Sequence, residues 1–213
     1  MRRQFASLLL FLIVSNVQSA PEDAVVRLPS HGASATVIYT EPGRTFLLGC
    51  GHAFEGNARF KPITIDVPVT ARDGHDKRAS IKLVALDMVH DLSLVEMSVG
   101  PLSNVAPVAP TNHRSGRTTS VGYDEMRMPA QRIPTTILGV QGDTTFTRER
   151  PWHGRSGGGL IDDSGYLVGV VQGYEIRPGG RGLYVSHQAI LQFLAHPPPV
   201  TNRPQPPQCS PFQ

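Results

Sequence analysis

The chain has 213 residues, with 20 Lys and Arg against 17 Asp and Glu, and a formal net charge of +3 at pH 7. This length suits a single domain, and the hydrophobic residues, 39% of the total, supply ample material for its core. The basic residues are scattered along the chain, so the charge does not indicate binding to nucleic acid or to an anionic membrane surface.

The first 20 residues have the composition of a secretory signal. A basic start precedes the ten-residue apolar core 5–14, and small and polar residues follow it. We expect cleavage after Ser19, since Pro21 would hinder cleavage after Ala20, and export to the periplasm or out of the cell. An uncleaved membrane anchor is the alternative, although the apolar core is well short of the ~20 residues that span a bilayer.

Short apolar or alternating runs recur along the rest of the chain, and Gly, Pro, Asn and Asp separate them. This pattern predicts an all-β barrel or sandwich and does not suit alternating strands and helices. One helix is expected over 186–195, with Ser186 as its cap. The expected strands are 36–39, 45–49, 63–69, 81–86, 92–97, 118–123, 132–140, 167–172 and 182–185.

Cys50 directly follows the apolar run 45–49 and has no second cysteine nearby. A small buried thiol is one interpretation. A disulfide with Cys209 is the other, because an exported chain can meet an oxidising compartment.

His52, Asp91 and Ser156 are the combination that catalysis by a serine nucleophile requires. Ser156 lies in the sequence Gly-Arg-Ser-Gly-Gly at 154–158, where glycines allow a sharp turn. That turn can aim the amides of Gly154 and Ser156 at one point, which would form an oxyanion hole. The order His, Asp, Ser is that of chymotrypsin-type enzymes, and the apolar run after the serine argues against the nucleophile elbow of α/β-hydrolases.

Neighbouring residues compete for these roles. Asp87 and His90 flank Asp91, and His153 lies three residues before the serine. No nucleotide, flavin or phosphate motif is present, so we expect no cofactor. We also expect no metal, because the spacing typical of metal ligands is absent from His31, His75, His113, His187 and His196.

At these sites the chain resembles the trypsin-like serine peptidases, and it resembles the bacterial branch with the HtrA proteases more closely than digestive trypsins. Segments 51–54, 91–95 and 154–158 are similar to the family's sequences around the histidine, the acid and the serine. Segments 165–170 and 182–185 are similar to the strands that follow the serine. The resemblance covers roughly residues 30 to 195.

The resemblance implies two six-stranded antiparallel β-barrels with a short C-terminal helix, and an active site in the cleft between them. The Pro-rich C-terminal end would be a mobile tail, because its prolines cannot form helix or central strand. The expected boundaries are a signal peptide at 1–19, a peptidase domain at 20–196 with lobes at about 25–105 and 118–195, a linker at 107–117 and a disordered tail at 197–213.

The activity that the resemblance implies is that of a serine endopeptidase acting on polypeptides through His52, Asp91 and Ser156. Two alternatives belong to other classes. One is a pseudoprotease that uses the same fold only to bind peptides. The other is an esterase on a different fold, which the residue order disfavours.

The resemblance also indicates where the substrate binds. Val171, Gln172, Gly173 and Tyr174 correspond to the edge that pairs with the substrate backbone, and Arg150 corresponds to the specificity position six residues before the serine. Tyr174 stands where trypsins have a small residue and would narrow the pocket. We therefore expect small or medium apolar side chains before the cleaved bond.

Arg155 departs from the family pattern. Trypsins have an aspartate directly before the serine, which pairs with the amine freed by zymogen cleavage, and Arg155 cannot form that pair. We therefore expect activity without internal cleavage. The oxyanion hole would be held by Arg155 with Glu149 or with Asp162 or Asp163, or else be ordered only when substrate binds.

Overall fold

The computed structural model describes residues 21–65, 81–111, 114 and 116–200. These residues form eleven strands, one α-helix and several short 3₁₀ turns. The elements are β1 (Val25–Leu28), β2 (Ala33–Glu41), β3 (Arg44–Gly49), β4 (Ile81–Asp87), β5 (Leu92–Met97), β6 (Gly116–Gly122), β7 (Gln131–Gln141), β8 (Thr144–Thr147), β9 (Gly159–Asp162), β10 (Leu167–Tyr174), β11 (Gly182–Ser186) and α1 (His187–Ala195).

The first five strands form an antiparallel sheet in the order β1-β2-β3-β5-β4. Successive side chains of a strand point to opposite faces, and both faces of this sheet are covered. In β3, Phe46 and Leu48 belong to the core that continues into the second lobe, whereas Leu47 belongs to the first lobe's own core. Segment 66–80, between β3 and β4, lies outside the described residues.

The last six strands close into a barrel in the order β10-β11-β8-β7-β6-β9. Leu160, Val168 and Tyr184 are among the fully buried side chains of one of its apolar clusters. The expected all-β class and a six-stranded barrel are therefore confirmed for the second lobe. The first lobe is an open five-stranded sheet over the described residues, so the structure does not show the second closed barrel that the resemblance implies.

One apolar core joins the two lobes. It includes Ile38 and Leu92 from the first sheet and Val121, Val170 and Phe193 from the barrel and helix. The expected helix is confirmed: α1 packs on β10 and β11, and the Ser186 side chain caps it by accepting the Ala189 amide. The shared core therefore holds the two lobes in a fixed arrangement, with the cleft between them.

Three expected segments lie wholly or partly outside the described residues. Residues 63–65 form no strand, and the rest of the strand expected at 63–69 lies outside the described residues. The expected signal peptide also lies outside them. Of the expected mobile tail, residues 197–200 are described, and Pro199 forms an antiparallel bridge with Ala85 of β4, so this part of the tail pairs with the first sheet. No helix in the described part of the chain is long and apolar enough to cross a membrane.

Candidate active site

His52 and Asp91 are brought together by the ends of neighbouring strands. His52 begins a 3₁₀ turn just after β3, and Asp91 ends the turn between β4 and β5. One Asp91 carboxylate oxygen accepts the His52 main-chain amide at 2.7 Å, and both oxygens contact the ring Nδ1, at 3.0 and 2.9 Å. Asp91 therefore fixes the imidazole through its ring and its backbone. The His52 side chain remains 41% exposed, so a substrate can reach the ring.

The backbone of Asp91 is unusual. Its φ is 57°, in the left-handed region that residues with a side chain rarely occupy. Strained residues of this kind concentrate at functional sites and persist because the surrounding structure holds them.

Asp87, the competing acid, pairs with His90 instead of His52. Its carboxylate accepts the amides of Val89 and His90 and contacts His90 Nδ1 at 2.7 Å. Burial opposes its charge, but the hydrogen bonds from His90 and Val89 outweigh burial and lower the pKa of Asp87. Of the two neighbouring acids, the structure therefore brings Asp91 to His52.

Within the described part of the chain Cys50 is a free thiol, 1% exposed, which agrees with the buried-thiol interpretation, while the disulfide with Cys209 stays a prediction. Cys209 lies outside the described residues. Partial burial opposes the positive charge on His52, but interactions with the Cys50 sulfur and with Asp91 favour that charge and raise the pKa of His52 above its usual 6.5. The sequence did not predict that Cys50 would influence the base.

Two amides of the glycine-rich turn around Ser156 have no acceptor in the part of the chain that the structure describes. Gly154 and Gly157 have φ angles of 89° and 82°, which only glycine adopts freely. The amides of Arg155, Gly157 and Gly158 donate to main-chain oxygens at 3.2, 2.8 and 2.8 Å. Within the described residues, the amides of Gly154 and Ser156 donate no hydrogen bond. They are the two donors that the sequence analysis assigns to the oxyanion hole.

Ser34, in β2 of the first lobe, holds this turn from across the cleft. Its amide donates to the Ser156 carbonyl oxygen at 2.8 Å, and its hydroxyl donates to the Gly154 carbonyl oxygen at 2.9 Å. A Cβ on Gly157 would lie 2.2 Å from the Ser34 carbonyl oxygen, so only glycine fits there. Sequence reasoning missed Ser34, because a buried serine in a strand carries no signal of such a role.

Arg155 is fully buried and contacts Glu149 at 2.6 Å, one of the pairings expected from the sequence. Its second partner, Asp124 at 2.5 Å, was not expected. Asp162 ends β9, and its carboxylate accepts the Ser164 amide of the turn that follows. Asp163 begins that turn, and its Oδ2 lies 3.9 Å from Arg117 Nε. The expected alternative through these two acids is therefore wrong.

The residues assigned to substrate binding divide into two groups. Val171 supports the glycine-rich turn 154–158 around Ser156, which we call the nucleophile turn. The Val171 amide donates to the Gly158 carbonyl oxygen, and the Val171 carbonyl oxygen accepts the Gly157 amide. Segment 172–174 continues β10 beyond that point. The exposed Arg150 guanidinium lies 3.8 Å from the Tyr174 ring centroid, so this side of the site is cationic as well as aromatic.

Among the described residues, no cluster of three or more His, Cys, Asp or Glu side chains could hold a metal ion. The site consists of a paired imidazole and carboxylate, a serine in a glycine turn, and two amides that donate no hydrogen bond to the described part of the chain.

Several solved structures have a similar fold. The active form of the Rv3671c protease from M. tuberculosis is 21% identical and has a TM-score of 0.62, covering 85% of this chain and 84% of that one. A serine endoprotease from Yersinia pestis is 18% identical with a TM-score of 0.62, over 84% of this chain and 66% of that one. The MamO protease domain from Magnetospirillum magneticum is 18% identical with a TM-score of 0.59, over 83% of this chain and 98% of that one.

At these identities the solved structures establish the shared fold. A comparison with curated proteins gave no match. The sequence profile of the trypsin-like peptidase domain matches residues 33–170, which is more than half of the chain and includes His52, Asp91 and Ser156. The chain therefore belongs to the family of trypsin-like peptidases and is a hydrolase of the serine endopeptidase type.

Proposed function

We propose that the chain is an exported endopeptidase in which Ser156 is the nucleophile, His52 the general base and Asp91 the residue that orients the base. One observation carries the assignment. Asp91 holds both the ring and the main chain of His52, while the amides of Gly154 and Ser156 are the two in the glycine turn that donate no hydrogen bond to any described residue. An imidazole fixed through Nδ1 presents its other nitrogen as a base.

Acylation would proceed as follows. The Ser156 hydroxyl oxygen attacks the carbonyl carbon of a peptide bond as His52 Nε2 takes the hydroxyl proton. Negative charge develops on the former carbonyl oxygen, which accepts hydrogen bonds from the Gly154 and Ser156 amides. In the described residues no hydrogen bond joins His52 to Ser156; such contacts often tighten only in the substrate complex.

The imidazolium then returns its proton to the nitrogen of the leaving amine, the carbon–nitrogen bond breaks, and an acyl-enzyme remains on Ser156. A water molecule, deprotonated by His52, attacks the ester carbon and frees the new carboxyl end. Throughout these steps the Asp91 carboxylate stabilises the cation on His52 and keeps Nδ1 protonated.

Polypeptide substrates suit the segments that border the site. Trp152, before the nucleophile, is 61% exposed, and Ile176, just after β10, is 77% exposed. Large apolar side chains displayed on such segments favour contact with apolar side chains of an extended peptide. Main-chain pairing with 172–174 would supply affinity with little sequence preference.

The proposal includes export and the finer domain organisation. Cleavage after Ser19 would leave a peptidase domain at 20–196, in which the first sheet belongs to a second six-stranded barrel, as in the family. Cell fractionation followed by N-terminal sequencing tests the export part. A mature protein outside the cytoplasm that begins at Ala20 supports it, and a cytoplasmic protein with an intact first segment contradicts it.

Labelling by a fluorophosphonate, which reacts only with activated serines, tests the catalytic assignment. Wild type should be labelled, whereas Ser156→Ala and His52→Ala should not. Ser164→Ala is the matched control, because Ser164 is an exposed serine in the distant turn after β9 and its loss should leave labelling unchanged. Cleavage of an unfolded protein at internal bonds, followed by mass spectrometry, then separates an endopeptidase from an esterase.

Two outcomes would overturn the assignment. Labelling that survives in Ser156→Ala would place the reactive serine elsewhere. A folded wild type that is never labelled between pH 6 and 10, but binds unfolded peptides, would favour the pseudoprotease alternative.

A further inference from the structure

The guanidinium of Arg155 lies between two carboxylates from different segments. Its Nε and Nη2 donate to the two oxygens of Asp124, at 2.7 and 2.5 Å, and its Nη1 donates to Glu149 at 2.6 Å. The Arg155 side chain is 0% exposed, and the Glu149 side chain is 8% exposed. A planar guanidinium bound on two sides has a fixed direction as well as a fixed position.

A buried hydrogen-bond network, which we call the relay, holds Glu149 in place. The Tyr184 hydroxyl lies 2.7 Å from one Glu149 oxygen and 2.7 Å from Ser120 Oγ, and Arg155 Nη1 lies 3.3 Å from the same Oγ. A carboxylate only accepts, so Tyr184 donates to Glu149 and accepts from Ser120. Burial raises the pKa of Glu149, and hydrogen bonds from Tyr184 and the charge of Arg155 oppose that rise. Each polar group of this relay has a partner.

Asp124 belongs to the 3₁₀ turn Asp124–Met126, which we call the clamp segment. The Glu125 amide of the same segment donates to the His153 carbonyl oxygen at 2.6 Å. In a trans peptide the N–H points opposite to the C=O, so this bond turns the Gly154 amide away from the clamp segment and leaves it unengaged. One segment thus fixes both the residue before the nucleophile and the peptide that carries an oxyanion donor.

The contact between residues 122–126, which include the clamp segment, and the nucleophile turn is tight. A Cβ on Gly122 would lie 2.4 Å from Arg155 Cγ, and a Cβ on Gly154 would lie 2.6 Å from the Tyr123 carbonyl oxygen. Glu125 and Met126 have φ angles of 48° and 60°, so the backbone of the segment is itself strained. Such strain persists only where neighbouring contacts hold it. Here they include the bond from the Glu125 amide to His153, just before the nucleophile turn, and the bond from Arg27 Nη1 to the Met126 carbonyl oxygen.

We infer that the clamp segment holds the oxyanion hole in its active form through Asp124 and the Glu125 amide, replacing the ion pair that a freed N-terminal amine supplies in trypsins. Asp124 and Arg155 are therefore positioning residues that act through the Gly154 and Ser156 amides. The inference rests on the proposed function, because the hole matters only if Ser156 is acylated.

The test compares Asp124→Asn with wild type and with Asp163→Asn, a control that removes an exposed acid. Active sites are titrated first, so that kcat refers to folded enzyme. We expect Asp124→Asn to lower kcat for a peptide amide by about 10²-fold, the loss typical of a misplaced oxyanion donor, with KM changed by less than about threefold. The affinity for a peptide boronic acid, whose tetrahedral adduct needs the same donors, should fall in parallel.

A second variant guards against misfolding. Gly122→Ala keeps all the charges but should displace Arg155, and it should reproduce the fall in kcat. In the double variant of Asp124→Asn with Arg155→Gln, kcat should lie within about threefold of the worse single variant, because the two residues act as one unit. A merely structural role would change the unfolding midpoint without this pattern.

The inference is overturned if folded, titrated Asp124→Asn and Gly122→Ala both keep wild-type kcat and boronic acid affinity while wild type is active. A wild type that neither hydrolyses peptides nor reacts with the fluorophosphonate would instead refute the proposed function, and the inference would fall with it.

Discussion

Replacing Gly154 by alanine should impair catalysis far more than folding. Its φ of 89° costs a residue with a side chain roughly 1–2 kcal/mol. The added Cβ would lie 2.6 Å from the Tyr123 carbonyl oxygen and 2.9 Å from the Met126 amide nitrogen, so the backbone at 154 has to move. Its amide would then miss the developing oxyanion, and loss of one such donor lowers kcat by about 10²–10³-fold, or ~3–4 kcal/mol of transition-state stabilisation.

Gly165→Ala provides the matched control. Gly165 has a similar φ of 86°, but no atom lies within 4 Å of its added Cβ, and the residue lies in the turn before β10. It should therefore show the cost of the φ angle alone, as a loss of stability with kcat unchanged. Thermal unfolding and hydrolysis of a peptide amide, corrected for titrated active sites, measure the two effects separately.

The reasoning is refuted if folded Gly154→Ala keeps kcat within about threefold of wild type. It is also refuted if Gly165→Ala loses as much activity, since strain alone would then explain both variants. A selective loss of kcat in Gly154→Ala, with KM nearly constant, supports a donor used only in the transition state.

Two further predictions concern the base. Asp91→Asn should lower kcat by roughly 10⁴-fold, because the amide favours the wrong imidazole tautomer, whereas Asp87→Asn should lower kcat by less than about tenfold. The test compares the kcat values of the two variants, corrected for titrated active sites. The reverse order would make Asp87 the orienting acid. Because the pKa of His52 is raised, the fraction of His52 that is neutral and able to act as a base should increase with pH above pH 6.5. The pH profile of kcat/KM should therefore have a rising limb above pH 6.5. Cys50→Ser removes a group that favours the imidazolium, so this limb should move to lower pH; a limb that stays in place would show that the sulfur has no influence.

Local pattern was sufficient for most of the fold and insufficient for three strands. The runs at 45–49, 92–97 and 167–172 alternate or are apolar throughout, and each forms a strand. The missed strands β1, β8 and β9 have four residues each. In β8 the buried side chains are Thr145 and Thr147, so no apolar pattern marks it, and pairing with β7 and β11 defines the strand.

The active-site residues likewise fall into those that the local sequence predicted and those that it missed. Residue type and order led to His52, Asp91, Ser156 and the two amides, because the chemistry restricts which side chains can serve and the glycines show the turn. Asp124 was missed because it lies 31 residues before Arg155, in a loop whose position depends on packing. Ser34, even more distant along the chain, was missed for the same reason.

The burial of Arg155 is better explained by positioning than by stability. Burying a cation between carboxylates costs desolvation, and apolar side chains of similar volume are often as stabilising. They would, however, leave the orientation of the turn to packing alone. The guanidinium contacts Asp124 along one edge and Glu149 at its other end, so the translation and the rotation of residue 155 are both fixed. Because all three charges belong to the folded chain and none is created by cleavage, we expect the oxyanion hole to be active as soon as the two lobes have packed.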